Sequence, residues 1–402
     1  MALQEIDILN PDSYLLDVPH DRFERLRREA PVFWHKEPNG PGFWAITKHA
    51  DVLTVLKDAE TFSSQVGGTQ IADLPSSDIR RSPAVLAVMD PPRHTQHRAL
   101  IAQSFTSKGL ARSEAYVSRL VAELLNQVIE RGTFDFIEDF AVKLPMAILL
   151  NMVGVPSSDQ ARINDWILRL LATDDPEYQT SDAERADIGR RFMEYAHALA
   201  AERRQSPRDD LLSLLMAAEV DGVKLSYEEF GMFFVLLLAA GTDTPRLILG
   251  SSMLALMQQP AERARLRQAP ELLPAAVEEM LRLYPPLMHF RRTAVRDVEL
   301  RGRKILAGQK VVAWIVSANR DDEAFVKPHA FELERANNPH VSFGYGPHFC
   351  IGNALARMIA KTALAECLRR MPGLELAGPV ERLRSNWFNG PKRMPVTVGQ
   401  RP

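Results

Sequence analysis

Residues 342–358 read SFGYGPHFCIGNALARM, and the reading of Cys350 in this stretch decides the rest. The cysteine follows a turn rich in Gly344, Gly346 and Pro347. A helical pattern starts at once after it, Ile351 to Arg370. A cysteine at a helix N-terminus faces free backbone N–H groups and the positive end of the dipole. Both favour thiolate over thiol. The glycines let the backbone pass close to a flat or bulky object. An inert buried thiol is the ordinary reading of a lone cysteine, and Cys367, set mid-helix between Leu364 and Leu368, fits it. For Cys350 the surroundings decide.

Bulk properties narrow the field. The chain has 402 residues and a formal net charge of -2. That is ample for a large core and, by length alone, for two or three domain-sized units. The balanced charge lacks the basic footprint of nucleic-acid binding and gives no general attraction to a membrane surface. The start, MALQEIDILNPDSY, has no basic segment followed by an apolar run, so it does not read as a signal peptide. The longest apolar run, Met232 to Ala240, falls well short of the roughly 20 residues that span a bilayer. Two cysteines supply no disulfide framework. A soluble, cytoplasmic protein is expected.

The patterning is mostly helical from about 92 to 283. YVSRLVAELLNQVIERG, for example, carries apolar residues at helical spacing and ends in Gly132. APVFWH and GFWAITK, around the turn-rich KEPNGPG, read as a hairpin. Residues 62–90 read as a long irregular loop of the kind that often binds or covers a ligand. Residues 289–315 alternate as a small sheet, and MPVTVG near the C-terminus reads as another strand.

The longest helix contains FFVLLLAAGTDTPRLILG, residues 233–250. Ser226 and Glu229 form a capping-box signature, and the pattern stays helical until Pro260. An apolar helix buried on all sides gains nothing from Asp243, two threonines and Pro245 at its centre. Pro245 removes the partner of the Gly241 carbonyl and crowds it, so a kink is expected there.

The set Phe343-Gly344-x-Gly346-x-His348-x-Cys350-x-Gly352 resembles the haem-binding loop of the cytochrome P-450 monooxygenases, in which a cysteine thiolate holds the iron. The resemblance covers nearly the whole chain. It implies a mainly α fold with small β-rich regions, prism-like, with a long central helix over the haem. It also implies one domain over 1–402, with β-rich patches at about 31–47, 289–315 and 380–400 and helical bulk at about 92–283 and 351–370. Cys350 is then the proximal ligand of haem b (iron protoporphyrin IX). Phe343 packs near the sulfur, and backbone N–H groups after Cys350, toward Gly352, tune it. His94 and Arg98 in DPPRHTQHRAL, Arg292 in HFRRTA and His348 match the propionate-binding positions. Arg291 is the alternative to Arg292, one residue away and so on the opposite face of a strand. Glu279-x-x-Arg282, a common surface spacing when alone, together with Arg335 resembles the family's buried ion network.

The same resemblance gives the central helix a task. Gly241 is expected to bring the backbone close to the haem, Thr244 to hydrogen-bond dioxygen or a water beside it, and Asp243 to pass protons inward. The bland alternative is a threonine bonded back to a carbonyl one turn earlier. The distal pocket is expected from Val85 to Val88, helices between about 158 and 205, Phe233, Leu237 and Ala240. Leu287, Met288, His289, Phe290, Trp387 and Phe388 complete it, with His289 and Asn389 as candidate polar contacts. The lining suits a medium or large apolar substrate, such as a terpenoid, steroid-like or polyketide-like compound. No Gly-x-Gly-x-x-Gly follows a strand, so electrons are expected from an iron–sulfur ferredoxin and a flavin reductase drawing on NAD(P)H. Arg112, Arg357 and Lys361 are candidates for that partner's docking face. A monomer using O2 is the main expectation. A peroxide-driven peroxygenase and a non-enzymatic haem-thiolate sensor or scaffold are the alternatives.

Overall fold

A computed structural model describes residues 2–73, 78, 80, 82–171 and 174–399. Most of the chain is helical, and the helices pack around one long member, Tyr227–Gln258. Its 32 residues span about 48 Å at 1.5 Å each. Ser226 accepts from the Glu229 N–H while the Glu229 side chain accepts from the Ser226 N–H, so the capping box forms as the sequence predicts. The helices Lys143–Val153, Asp182–Gln205, Leu273–Leu283 and Asn353–Arg370 all pack on this central helix. It is the one helix among the described residues long and apolar enough to cross a membrane, and 72% of its apolar window is buried inside the fold.

The helix stays α-helical through Pro245, with no break in the run at the expected kink. Packing accounts for this tolerance: Pro245 and residues 246–250 are buried against neighbouring elements. Helix Ser107–Arg131 behaves as its sequence reads. Thr106 caps its start, and Gly132 ends it at a φ of 75°.

A five-stranded sheet forms the other layer. Its order is Val32–His35, Phe43–Ile46, Lys310–Trp314, His289–Ala294, Phe62–Ser63. All neighbours are antiparallel except Phe43–Ile46 beside Lys310–Trp314. Each face covers its own apolar cluster. One buries the N-terminal segment through Ile6, Ile8 and Phe23 against Val312 and Trp314. The other buries Val52, Val55 and Val341 against Val311 and Ala313. Successive residues of a strand therefore enter different environments, which fixes the fate of Arg291 and Arg292. The C-terminal strands are short: Pro395–Thr397 pairs with Thr133–Asp135 and Glu375–Leu376, and Glu381–Arg382 pairs with Pro391–Arg393.

Candidate active site

The cysteine loop is held from behind. The Cys350 N–H donates to the Phe343 carbonyl at 2.8 Å, closing the turn. Gly344 and Gly346 have positive φ, 72° and 69°. A Cβ on Gly346 would stand 2.7 Å from the Leu56 carbonyl oxygen. That glycine therefore answers to the end of helix His49–Lys57 rather than to a ligand. Helix Asn353–Arg370 begins three residues after Cys350. Phe343 is buried, with the Arg357 guanidinium 4.4 Å from its ring centroid.

The expected thiolate bias does not prevail in the protein alone. Burial pushes the Cys350 thiol up, while a hydrogen bond from the Gly352 N–H and the charges of Arg98 and Arg357 oppose it. A bound cation would reverse this balance. No group of three His, Cys, Asp or Glu side chains able to hold a metal exists among the described residues. A metal at Cys350 needs its remaining ligands from the group that carries it.

Four basic side chains gather beside the cysteine. The rings of His94 and His348 lie 4.1 Å apart. Arg98 donates to the Phe349 carbonyl at 2.6 Å, tying its helix to the cysteine loop. Arg292 is buried and donates to the Arg291 carbonyl at 2.8 Å. No carboxylate among the described residues forms an ion pair with it. Burial lowers Arg292 to about 10, with the Asp90 charge as the one opposing influence. Burial and then the Arg292 and His94 charges drive His348 to about 2. His94 falls to about 4 through burial and then Arg98, and its Nδ1 is buried without a partner. Two carboxylates placed here would relieve every one of these penalties, so the donor set fits haem propionates.

Strand alternation separates the two candidate arginines. Arg291 stands opposite Val312 and Arg292 opposite Val311. Arg291 reaches Asp73 at 2.7 Å and the Ile71 carbonyl at 3.1 Å, fastening the 62–73 loop. Arg292 alone joins the histidines.

Behind the loop, Glu279 accepts from Arg282 Nε at 2.8 Å and Nη2 at 2.7 Å, and from Arg335 Nε at 3.0 Å. The Glu332 N–H adds a further bond at 3.0 Å. Arg282 also donates to the Asn319, Pro328 and Ala330 carbonyls. The network joins helix Leu273–Leu283 to the segment leading into the cysteine loop.

On the central helix, Thr244 Oγ1 donates back to the Ala240 carbonyl at 2.8 Å, and Thr242 does the same to Leu238 at 2.9 Å. Ala240 is exposed and Thr244 half-buried, on a helix whose next turns are closed. Asp243 is buried and accepts from Arg246 Nε at 2.7 Å. Gly241 also meets a neighbouring helix. A Cβ there would lie 2.7 Å from Leu149 Cδ2, so its missing side chain admits helix Lys143–Val153.

The comparisons agree with this geometry. Residues 14–372 match the family model described as Cytochrome P450. The chain belongs to the cytochrome P450 family. It is 37% identical over 99% of its length to the methyl-branched lipid omega-hydroxylase of Mycobacterium tuberculosis, covering 95% of that protein. It is 35% identical over 98% of its length to the steroid C26-monooxygenase of Mycolicibacterium smegmatis, covering 93% of that one. The structure of Mycobacterium marinum cytochrome P450 CYP268A2 in complex with pseudoionone superposes with a TM-score of 0.91, at 35% identity over 98% of both chains. This P450 is accordingly a monooxygenase of a family built around a haem iron.

The remaining pocket residues of this P450 divide. Phe233 is buried, its ring 6.3 Å from His97. Leu237 and Val88 are nearly closed and Val85 is half-buried. Leu287 pairs with Phe388, and both pack with Trp387 and Leu247 of the central helix. Met288 instead joins the cluster under the N-terminal segment, and His289 lies against Trp314 at 4.8 Å. Phe290 packs on the opposite face, with the cluster around Val311. Met288 and His289 thus turn toward the N-terminal cluster, while Phe290 shares the strand face of Arg292. Asn389 donates to the Pro285 carbonyl at 3.1 Å and accepts from Arg382. Arg357 is tied to Glu278 at 2.6 Å, while Lys361 is exposed and the Arg112 side chain lies outside the described residues. Sequence reasoning missed Arg246, although its spacing of three from Asp243 was a readable signal.

Proposed function

We propose that this P450 is a single-domain, cytoplasmic monooxygenase that inserts one oxygen atom from O2 into a medium or large apolar molecule of the lipid, steroid or terpenoid classes. Electrons come from an iron–sulfur ferredoxin supplied by a flavin reductase. The supporting observation is the thiol of Cys350 beside a buried basic cluster whose Arg292 has no ion-paired carboxylate among the described residues. Haem b, when bound, supplies the redox chemistry and dioxygen activation. The chain's own residues do the rest. Cys350 holds the iron. Arg98, Arg292, His94 and His348 orient the propionates. Leu237, Ala240, Leu287 and Phe388 exclude water and hold the apolar substrate. Thr244 and Asp243 position and deliver protons. The names of the two relatives and of the pseudoionone complex support the substrate classes.

The test is the carbon monoxide difference spectrum of the reduced protein, for wild type and Cys350→His. A red-shifted thiolate band in wild type alone is expected, and its absence from wild type would end the proposal. One observation favours a second reading, peroxide-driven turnover: Thr244 is bonded back to its own helix and Asp243 is engaged by Arg246. Turnover with peroxide alone, indifferent to Thr244→Ala, would favour that reading.

A further inference from the structure

We propose that the cleft between the N-terminal segment and the five-stranded sheet is a second small-molecule site, remote from Cys350, that takes an apolar molecule bearing one hydroxyl group. The site goes beyond the oxygen chemistry proposed above and does not rest on it.

The cleft has a volume of about 1140 Å³, enough to take a whole apolar ligand. Ile6, Leu9, Trp34, Trp44, Ile71 and Leu171 give it apolar walls. Cys350, His94, Arg98, Arg292, His348 and Thr244 are all absent from those walls. The strand register gives the reason. His289 stands opposite Trp314 and Arg291 opposite Val312, on the face that Arg291 fastens to the Gln70 and Ile71 carbonyls. Arg292, one residue on, lies on the other face. The sheet therefore stands between the cleft and the basic cluster.

The cleft holds open hydrogen-bonding groups. His289 lines it and is 1% exposed, and neither ring nitrogen has a partner in bonding geometry. Trp387 lines it too, and its buried indole N–H is also open. The Met288 N–H donates to the Trp387 carbonyl at 2.8 Å, so the two side chains come from adjoining segments. Asn386 is the polar side chain that acts on the imidazole, yet its Nδ2 donates to the Leu9 carbonyl. His97 is buried as well, but both of its ring nitrogens are engaged, by the Arg93 carbonyl and by Glu229. Open nitrogens on a closed histidine are thus a property of this cleft and not of buried histidines in the fold at large.

These groups define the polar end of the ligand. Burial lowers His289 to about 3, and no charged side chain contributes. The ring is neutral near pH 7, with one N–H and one bare nitrogen. The indole adds a second N–H. A hydroxyl both accepts and donates, so it can meet this set. A ketone or carboxylate has no proton to give the bare nitrogen, and a hydrocarbon leaves every group open. Hydroxylation of an apolar compound yields such an alcohol, so the product of the proposed reaction and an alcohol substrate share this chemistry.

The test is calorimetric titration of the holoprotein with the haem side first filled by clotrimazole. The probes are farnesol and farnesene, the hydrocarbon of the same skeleton. Farnesol should bind the filled protein roughly tenfold more tightly than farnesene, the worth of a buried hydrogen bond. His289→Phe keeps a ring and removes both nitrogens. It should weaken farnesol by roughly the same factor and change farnesene by less than about twofold. Trp387→Phe should act in the same direction, and it carries the test if His289→Phe does not fold. Loss of farnesol binding once clotrimazole is in place puts the molecule above the haem and overturns the proposal. Equal affinity for the two probes, or unchanged binding in both variants, overturns it as well. Without clotrimazole, a farnesol-induced change of haem spin state marks an alcohol substrate and an unchanged spectrum marks a product-type ligand. The proposal stands in both cases on the binding that clotrimazole leaves. The thiolate band of wild type reads the functional proposal separately. Hydroxyl selectivity without that band keeps this site and sinks the haem reading. The band without the selectivity sinks this site alone.

Discussion

Removal of the Glu279 carboxylate should cost this protein a large part of its stability. The carboxylate has no solvent exposure and accepts from Arg282 twice, from Arg335, and from the Glu332 N–H. Arg282 is equally closed, and the Arg335 side chain is 5% exposed. Glu279→Ala therefore leaves the Arg282 guanidinium buried without its anion, and Arg335 with Glu332 alone at 3.2 Å. Breaking a buried pair from one side costs about 3–5 kcal/mol, against a total of about 5–15 kcal/mol for an ordinary domain. Arg335→Ala should cost less, about 1–3 kcal/mol, because Glu279 keeps its two bonds from Arg282. The Glu279→Ala/Arg282→Ala double variant should lose less than the sum of its single losses, since each single change strands the other's charge. Urea unfolding followed by tryptophan fluorescence gives all four free energies, and haem absorbance gives the loaded fraction. Acid adds a check. Burial alone would raise the Glu279 carboxyl, but the bonds from Arg282 and Arg335 outweigh it and hold it below its usual range. Its contribution is thus present above the unfolded value near 4.5 and is lost as pH falls. Glu279→Ala should flatten that part of the acid slope. A Glu279→Ala protein within 1 kcal/mol of wild type, with normal haem content, would refute the reasoning.

Four further outcomes are expected. Gly241→Ala gains about 1 kcal/mol of helix propensity but crowds Leu149 at a cost of about 1–3 kcal/mol. Urea unfolding should show a modest loss with an unchanged haem spectrum, and a perturbed spectrum would place Gly241 against the haem after all. Arg292→Ala should weaken haem retention, measured by transfer to apomyoglobin, while Arg291→Ala should chiefly expose the 62–73 loop to protease. Burial lowers His289 to about 3, so its neutral form contributes stability that is lost as pH drops below 6.5. His289→Phe should therefore gain on wild type by about 2 kcal/mol between pH 7 and pH 5 in denaturant titrations. Thr244→Val keeps the shape and removes the hydroxyl. It should preserve folding stability within about 1 kcal/mol while lowering product formed per electron pair, and unchanged coupling would assign the hydroxyl to its back-bond alone.

The legible parts of the chain were those whose chemistry is local. The turn before Cys350, the capping box at Ser226 and the Glu279–Arg282 spacing each lie within a few residues, so the side chains alone declare them. Helical and strand periods located the large elements for the same reason. What stayed hidden depends on neighbours distant in sequence. Gly241 could not reveal that its close contact is Leu149, more than ninety residues earlier. Gly346 likewise gives no sign of the Leu56 carbonyl. Met288, His289 and Phe290 look like one apolar stretch until the sheet sends them to different faces. That same alternation puts Arg292 rather than Arg291 beside the histidines, because register converts a one-residue difference into opposite sides.

The stretch from Gly241 to Arg246 departs from what helix stability alone would select, which favours the proposed chemical role of its polar residues. Thr242 and Thr244 each donate to a carbonyl four residues back, and Pro245 denies the Gly241 carbonyl its N–H. Back-bonding of this kind slightly weakens a helix, so Thr242, Thr244 and Pro245 together loosen this stretch. Yet the run stays α-helical, with residues 245–250 buried and Gly241 pressed against Leu149. Tertiary packing therefore holds a turn that local preference would relax. A purely structural helix would use apolar residues here and keep its ladder intact. The stabilisation forgone leaves a hydroxyl, a half-satisfied carboxylate and a half-satisfied guanidinium within two turns of the exposed Ala240. Such groups can change partners at low cost, as the proposed delivery of protons requires.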